Sequence, residues 1–351
     1  MNPVKNLSAI RKLVQIGAFV FFVYGGTLTG YYLADKVSGA LPALSCAYDM
    51  QGADLCTLIP FQHQMDHRLG EAIAGGGNLM MGLMPTLITL ATFLVLFVFL
   101  NKAFCGWICP LGTVQELLHN LGQKLGLQRR ESLDPGLVKR IRPVKWILLL
   151  LLVFGFPLLA GIGWVSHDLG DPFCKICPSR ILTTLATGET SQLYLDSSSS
   201  ILLVLSLTAD FLFGLTVALA LSVRQPFCRI CPMLALHAVF RKLGLLRLVK
   251  LGTARCDRCG LCAKACPMDI TDIHTEMEKR DVTFEDCTLC GRCVEFCPDK
   301  DVLQLKYALL PVFSADPAYF KQRKKAQRNW EKANLLSLLR GGQKLAGAKR
   351  Q

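Results

Sequence analysis

Four long stretches of apolar residues divide the first two thirds of the chain. The first has no charged residue between Lys12 and Asp35, and the second has none between Glu71 and Lys102. A helix needs about 20 apolar residues to cross a bilayer core. We therefore predict an α-helical membrane protein with four transmembrane helices, over residues 13–34, 79–100, 146–167 and 201–223.

Positive charge lies at alternate ends of these stretches. Segment 101–145 carries eight Lys or Arg residues and segment 224–250 carries six, whereas 35–78 and 168–200 have few. Because loops rich in Lys and Arg remain on the cytoplasmic side, both termini and segment 101–145 are predicted to be cytoplasmic. The sequence thus predicts a multi-pass protein of the inner (cytoplasmic) membrane.

The composition agrees with a membrane protein. Of the 351 residues, 52% are hydrophobic and only 19% are charged, whereas soluble domains are nearer a quarter charged. This excludes a single water-soluble domain, and the high hydrophobicity excludes a disordered chain. The net charge of +13 follows from orientation in the membrane, so we predict no nucleic-acid partner.

Half of the 16 cysteines form a tandem motif. Cys256-x2-Cys259-x2-Cys262-x3-Cys266-Pro267 is followed by Cys287-x2-Cys290-x2-Cys293-x3-Cys297-Pro298. This is the bacterial ferredoxin spacing for two [4Fe–4S] clusters, in which each fourth cysteine binds the other cluster. The predicted ligands are Cys256, Cys259, Cys262 and Cys297 for cluster 1, and Cys287, Cys290, Cys293 and Cys266 for cluster 2. A pair of zinc sites is the alternative.

These patterns predict three domains. Residues 1–254 form a membrane domain of two repeats, and 255–306 form a small α+β two-cluster ferredoxin-like cytoplasmic domain. Residues 307–351 form a basic cytoplasmic tail, with ten Lys or Arg residues and one acid from residue 319 onward. Such a tail is attracted to anionic lipid when it lies near a membrane.

The other eight cysteines fall into two groups of four. The inner group follows the second and fourth stretches: Cys105, Cys109, Cys228 and Cys231. The outer group follows the first and third stretches: Cys46, Cys56, Cys174 and Cys177. Each half of the membrane domain would supply two cysteines to each face, as in a parallel repeat. Both inner motifs lead into segments that we predict to be amphipathic surface helices.

The chemistry of these eight cysteines stays open at this stage. The inner group could hold a further metal centre, or its Cys-Pro turns could be structural with unligated thiols. The outer group could hold a metal or form disulfides, which an exported compartment favours. The inner and outer faces are about 30 Å apart, so an electron would need a quinone or another centre between them.

The hydrophobic stretches, the Phe104-Cys-Gly-Trp-Ile-Cys-Pro110 turn and the tandem cluster motif together resemble the NapH/NosR-type membrane polyferredoxins, over about residues 10 to 300. The resemblance implies electron transfer between the quinol pool, or a cytoplasmic donor, and an exported or membrane redox partner. A related resemblance is to membrane ferredoxins of cytochrome-oxidase assembly, which implies copper reduction.

We therefore predict a membrane-bound iron–sulfur electron-transfer protein. It would be either an oxidoreductase subunit or an accessory electron-transfer protein. One alternative is a metal-handling or assembly factor whose clusters reduce a metal ion such as copper. The other is a membrane redox sensor.

Overall fold

The computed structural model describes residues 6–29, 56, 58–127, 133–188 and 190–332. Cys46 of the outer group, the end of the first predicted span and residues 333–351 of the predicted tail lie outside these ranges. Within them, the helices of the first 239 residues are α1 (Leu7–Thr29), α2 (Leu58–Gln64), α3 (Glu71–Ala74), α4 (Leu79–Leu100), α5 (Pro110–Leu125), α6 (Pro135–Ile141), α7 (Val144–Leu148), α8 (Phe156–Ile162), α9 (Pro172–Ile176), α10 (Pro178–Ala186), α11 (Ser200–Ala220) and α12 (Pro232–Val239). Segments of π-helix at Met65–Gly70, Phe104–Ile108 and Leu149–Gly155 join some of them.

Four helical regions are long and apolar enough to cross a membrane: Leu7–Tyr24, Leu79–Leu100, Pro135–Ile162 and Ser200–Ala220. Their large apolar side chains point outward, as at Phe211, which is 67% exposed, and Leu150, which is 62% exposed. In a membrane these side chains contact lipid. The third region ends at Ile162, five residues before the predicted boundary, because Gly163 adopts a left-handed conformation (φ 85°) that terminates the helix.

Four ends of these spanning regions contact the cysteine-rich part of the chain. Near the start of α1, Arg11 Nη1 donates a hydrogen bond to the Cys290 carbonyl (2.8 Å), and after α4 Lys102 Nζ donates to that of Phe284 (2.9 Å). Lys145 of α7 pairs with Asp286, and Arg224, beyond α11, donates to the Lys264 carbonyl. The ends predicted to share one side of the membrane therefore meet on one body.

That body contains a small antiparallel sheet with strand order β1-β2-β3. Its strands and helices are β1 (Leu246–Lys250), α13 (Leu261–Ala265), α14 (Asp272–Thr275), α15 (Arg292–Glu295), β2 (Leu303–Tyr307), β3 (Leu310–Ser314) and α16 (Pro317–Lys332). Leu248 lies opposite Leu305 in the sheet, and both are buried. The sheet thus pairs residues on both sides of the predicted 255–306 segment. We call residues 246–314 the cysteine-rich module.

The sequence predicts amphipathic surface helices after both inner cysteine motifs, and the structure agrees for α5 but not for α12. In α5 the leucine face is exposed, with Leu117 at 53% and Leu121 at 47%, while Gln115 and Glu116 on the other face are buried. An apolar face turned outward is favourable when the surroundings are lipid. Nearly all of α12 is buried, so the surface-helix prediction is wrong there.

Candidate functional site

Cysteine thiols from two loops surround one cavity at the end of the module farther from α1. Cys256, Cys259 and Cys262 line this cavity together with Cys297, and its empty volume is about 310 Å³. Cys297 lies 35 residues beyond Cys262 in the chain, yet the fold returns it to the first loop. The structure therefore brings together the four residues that the sequence assigns to cluster 1.

A second cavity of the same size, about 310 Å³, is lined by the other four thiols: Cys266, Cys287, Cys290 and Cys293. The exchange of Cys266 and Cys297 between the two cavities matches the exchange that the tandem motif predicts. Ile273 borders both cavities, so they share a wall.

The backbone of both loops has the same unusual conformation. Arg258 and Leu289, each just before the second cysteine of a motif, have φ of 51°. Gly260 and Gly291, just after that cysteine, have φ of 73° and 76°. Left-handed residues on both sides of a cysteine bend the chain tightly around a centre, and glycine adopts this conformation at little cost.

Burial makes these thiols poor acids in the absence of a cation. It raises the pKa of Cys262 and of Cys287 to about 11, and that of Cys297 to about 12. Thiolates are stable at such sites when a metal supplies positive charge. Four converging thiols in a largely apolar cavity therefore fit an iron–sulfur cluster.

The inner group also converges, in what we call the Gln115 site: Cys105, Cys109, Cys228 and Cys231 with Gln115. Burial, then the neighbouring Cys109, raises the pKa of Cys228 to about 12. The pKa of Cys231 is raised well above its usual value by burial first and then by four other thiols, three of which are Cys105, Cys228 and Cys109. The four inner thiols therefore share one buried environment and disfavour each other's ionisation.

A buried histidine, His237 of α12, borders the Gln115 site. Its Nδ1 lies 3.5 Å from Cys105 Sγ, and its ring stacks on Phe93 with a centroid distance of 5.6 Å. Burial, then the positive charge of Lys102, lowers the pKa of His237 to about 3. The imidazole is therefore neutral and has a nitrogen available to hydrogen bond or bind metal.

The Gln115 site contacts the cysteine-rich module directly. Trp107 Nε1 donates a hydrogen bond of 2.9 Å to the Leu289 carbonyl, inside the loop of the second cavity. A Cβ on Gly106 would lie 2.4 Å from the Thr288 carbonyl oxygen and 3.2 Å from the Cys290 backbone. Only glycine permits this approach.

A buried arginine makes a second connection between the same two regions. Arg229, next to Cys228, donates to the carbonyls of Pro267 (2.9 Å) and Met268 (3.2 Å) and pairs with Asp269 at 2.8 Å. These partners directly follow Cys266. Both loops of the Gln115 site are thus anchored to loops that carry cysteines of the tandem motif.

The described cysteines of the outer group form what we call the Gln62 site: Cys56, Cys174 and Cys177 with Gln62. Cys174 is 7% exposed and accepts a hydrogen bond of 2.9 Å from Gln62 Nε2. Cys177 is close enough to Cys231 to raise its pKa. The sequence predicts opposite faces of the membrane for these two residues, but the structure packs both against one hydrophobic cluster, because the loop before α10 folds back into the protein.

Several important residues were not found from the sequence. Gln62 and Gln115 are ordinary polar residues outside any named motif, Arg229 is the residue between Cys228 and Ile230 in an inner turn, and His237 lies among apolar residues. One signal in the sequence could have indicated the two glutamines, because each follows a cysteine by six residues: Gln62 follows Cys56, and Gln115 follows Cys109.

Comparison with protein families gives two matches. A 4Fe-4S binding domain matches twice, at residues 83–128 and 206–251, and a 4Fe-4S dicluster domain matches residues 248–298. The first two segments include the four cysteines of the Gln115 site, and the third includes the eight cysteines of the tandem motif. The Gln62 site lies outside all three segments.

Three relatives show the extent of the similarity. YccM of Escherichia coli is 31% identical over 213 residues, which are 60% of this chain and 53% of that protein, so the chain spans about half of that relative. The ferredoxin-type protein NapH of Haemophilus influenzae is 26% identical over 83% of this chain and 86% of its own. The regulatory protein NosR of Pseudomonas aeruginosa is 29% identical over 62% of this chain and 27% of its own.

No solved structure matches the chain significantly. The two kinds of 4Fe-4S domain, the four apolar helices and the similarity to NapH and NosR agree with one another. They confirm the resemblance predicted from the sequence: the chain is similar to the NapH/NosR-type membrane polyferredoxins.

Proposed function

We propose that this protein is a membrane iron–sulfur electron-transfer protein that connects quinol, or a cytoplasmic donor, to an exported or membrane redox partner. Its ligands would be Cys256, Cys259, Cys262 and Cys297 for one [4Fe–4S] cluster, Cys266, Cys287, Cys290 and Cys293 for another, and the thiols of the Gln115 site for a third centre. Such clusters accept and donate single electrons. Residues 246–314 would form the ferredoxin-like α+β domain on the cytoplasmic side.

One observation carries this proposal: the Gln115 site touches the loop of the second cavity. Gly106 lies against the backbone of Cys290, and Trp107 bonds to Leu289 within the same loop. The close approach leaves no room for a side chain at position 106. A module whose cysteines served only stability would not need to contact a second group of thiols through a glycine.

A cavity between α1 and α5 supports a quinol-binding role. Its empty volume is about 680 Å³, and it is lined by Lys12, Gln15, Ile16, Thr113, Leu117, Asn120, Leu121 and Lys124. Three of these side chains are apolar and five are polar or basic, so the cavity offers both apolar contact for a quinol ring and hydrogen-bonding groups for its oxygens. Gln15 also donates to the Gly106 carbonyl (3.1 Å), so the cavity shares a wall with the Gln115 site. Oxidation of a quinol there would yield two electrons for one-electron acceptors and two protons for the water at the cavity mouth.

The test uses the full chain, purified without oxygen in lipid nanodiscs. A short-chain quinol is added, and reduction of the clusters is followed by electron paramagnetic resonance (EPR). We expect Asn120→Leu to raise the quinol concentration needed for half-maximal reduction, and the Cys228→Ser, Cys231→Ser double variant to lose reduction by quinol. Dithionite should still reduce the module in both variants.

Equal reduction by quinol in the double variant would overturn the connection through the Gln115 site. Stoichiometric copper on the membrane thiols, without quinol-dependent reduction, would instead support the metal-handling alternative.

A further inference from the structure

Two buried glutamines hold the two membrane cysteine sites in the same way. Gln62 and Gln115 are fully buried, at 0% and 1% exposure, and each lies in the helix that begins just after a cysteine of its site. A buried amide is costly unless all its polar groups are satisfied. Their hydrogen bonds therefore indicate what each glutamine is placed to do.

Gln115 uses both ends of its amide. Its Nε2 donates to the Leu111 carbonyl, one turn earlier, at 3.2 Å and lies 3.6 Å from Cys228 Sγ, to which it also donates. Its Oε1 accepts from the Phe227 backbone N–H at 3.0 Å. The glutamine thus fixes the Phe-Cys turn against its own helix.

Gln62 makes the same three contacts with different residues. Its Nε2 donates to the Leu58 carbonyl at 3.1 Å and to Cys174 Sγ at 2.9 Å. Its Oε1 accepts from the Phe173 backbone N–H at 3.1 Å. The thiol contact is shorter here than at Gln115.

The turns that receive these hydrogen bonds are also equivalent. Both are Phe-Cys-x-Ile-Cys-Pro, at 173–178 and 227–232. In each, the second cysteine is extended, with ψ of 123° at Cys177 and 124° at Cys231, and proline begins the next helix. Sequence, backbone and hydrogen bonds therefore repeat together, which a chance contact of one glutamine would not produce.

The two sites also adjoin each other. Cys56, Cys177, Cys109 and Cys231 pack against one hydrophobic cluster that contains Phe61, Phe93, Phe173 and Phe227. The outer cysteines follow the first and third spanning helices, and the inner cysteines follow the second and fourth. Because consecutive spanning helices run in opposite directions, the two sites are related as inverted repeats that meet inside the protein.

We propose that Cys56, Cys174 and Cys177 bind an iron–sulfur centre of the same class as the Gln115 site. This inference rests on the proposed function, which assigns a centre to the Gln115 site. An amide N–H directed at a buried sulfur stabilises a thiolate that binds metal. The site packs against the phenylalanines of that hydrophobic cluster, and Cys174 is only 7% exposed. Such burial favours a metal ligand over an exchanging disulfide, which needs access to solvent. Two adjacent centres would exchange one electron with no bond made or broken.

The experiment compares the full chain, purified without oxygen, with two matched double variants. One is Cys174→Ser with Cys177→Ser, and the other is Cys228→Ser with Cys231→Ser. Iron and acid-labile sulfide are measured per chain, and EPR records the two clusters of the module as a control for folding. We expect each double variant to lose about two to four irons, the content of one centre, and to keep the module signals.

Three results are decisive. Loss of iron only in the Cys228, Cys231 variant would overturn this inference and leave the proposed function intact. No loss in either variant would overturn both. A disulfide between outer-group cysteines in the anaerobically purified chain, found by mass spectrometry, would also overturn it.

A conservative variant keeps the inference testable if the serine variants do not fold. Gln62→Leu preserves the size of the side chain and all cysteines. We expect it to shift the EPR or Mössbauer signal of one membrane centre and to leave the module signals unchanged. An unchanged spectrum would contradict the proposed site.

Discussion

The Gln115 site and the Gln62 site have the same local construction but different neighbours. Each has a glutamine that bridges its helix to a Phe-Cys turn. Within the described ranges, the inner turns that carry the Gln115 site contact the cysteine-rich module, through Gly106, Trp107 and Arg229. Local hydrogen bonds therefore define a cysteine site, and the contacts around it define which other site it can exchange electrons with.

The largest difference in stability between the two sites is expected at the residue after the first cysteine of each Phe-Cys turn. Arg229 is buried and paired with buried Asp269, whereas Lys175, at the same position in the Gln62 site, is partly exposed and pairs with Asp171. We expect Arg229→Gln to destabilise the module by about 3–5 kcal/mol, because the buried Asp269 carboxylate loses its cationic partner. Lys175→Gln should cost less, because the side chains of Lys175 and Asp171 are 22% and 13% exposed, against 6% and 9% for Arg229 and Asp269. Denaturant titration monitored by loss of cluster absorbance measures both, and equal effects would contradict the difference.

Gly106 offers the next largest effect. Gly106→Val places side-chain atoms where the Thr288 carbonyl and the Cys290 backbone now lie, and overpacking of this kind costs about 1–3 kcal/mol. We expect electron transfer between the module and the Gln115 site to slow strongly, as measured by rapid-freeze EPR after addition of quinol. Gly214→Val is the control, since nothing lies within 4 Å of the added Cβ. A normal rate in Gly106→Val would show that this contact is not the route.

The glutamines test the similarity of the two sites. Gln115→Leu and Gln62→Leu each remove one N–H donor to a sulfur and leave a phenylalanine N–H unsatisfied. Each should lower the reduction potential of its own centre by on the order of 40 mV, the equivalent of a hydrogen bond of about 1 kcal/mol. Redox titration of each variant should show one shifted centre. A shift of the same centre in both variants would disprove two separate sites.

Trp107→Phe should have the smallest effect. It keeps the aromatic ring and removes only the 2.9 Å hydrogen bond to Leu289. The expected loss is about 1 kcal/mol of stability, with clusters retained, and thermal unfolding followed by absorbance measures it. Complete loss of a module cluster would mean that Trp107 has a larger role than docking.

The sequence predictions that agree with the structure are those whose signal lies within one short segment of the chain. The eight cysteines of the tandem motif carry their geometry in their spacing, so the sets around the two cavities could be predicted, including the exchange of Cys266 and Cys297. The four spans followed from length and hydrophobicity alone.

The membrane cysteines could not be placed this way. Cys174 and Cys177 lie in a segment that topology rules assign to one face, yet the loop folds back and packs on the same hydrophobic cluster as Cys231. Such a return depends on the Gln62 amide and on aromatic packing distant in sequence. The two faces of α5 also depend on tertiary packing: its apolar side is exposed, and its polar side meets the protein.

The central claim, that cysteines outside the tandem motif hold iron connected to the module, has a direct measurement. Iron and acid-labile sulfide are determined per chain after anaerobic purification, for the unchanged protein and for the Cys228→Ser, Cys231→Ser variant. The account predicts clearly more than the about eight irons of two [4Fe–4S] clusters in the unchanged protein, and a decrease in the variant. About eight irons in both would contradict it.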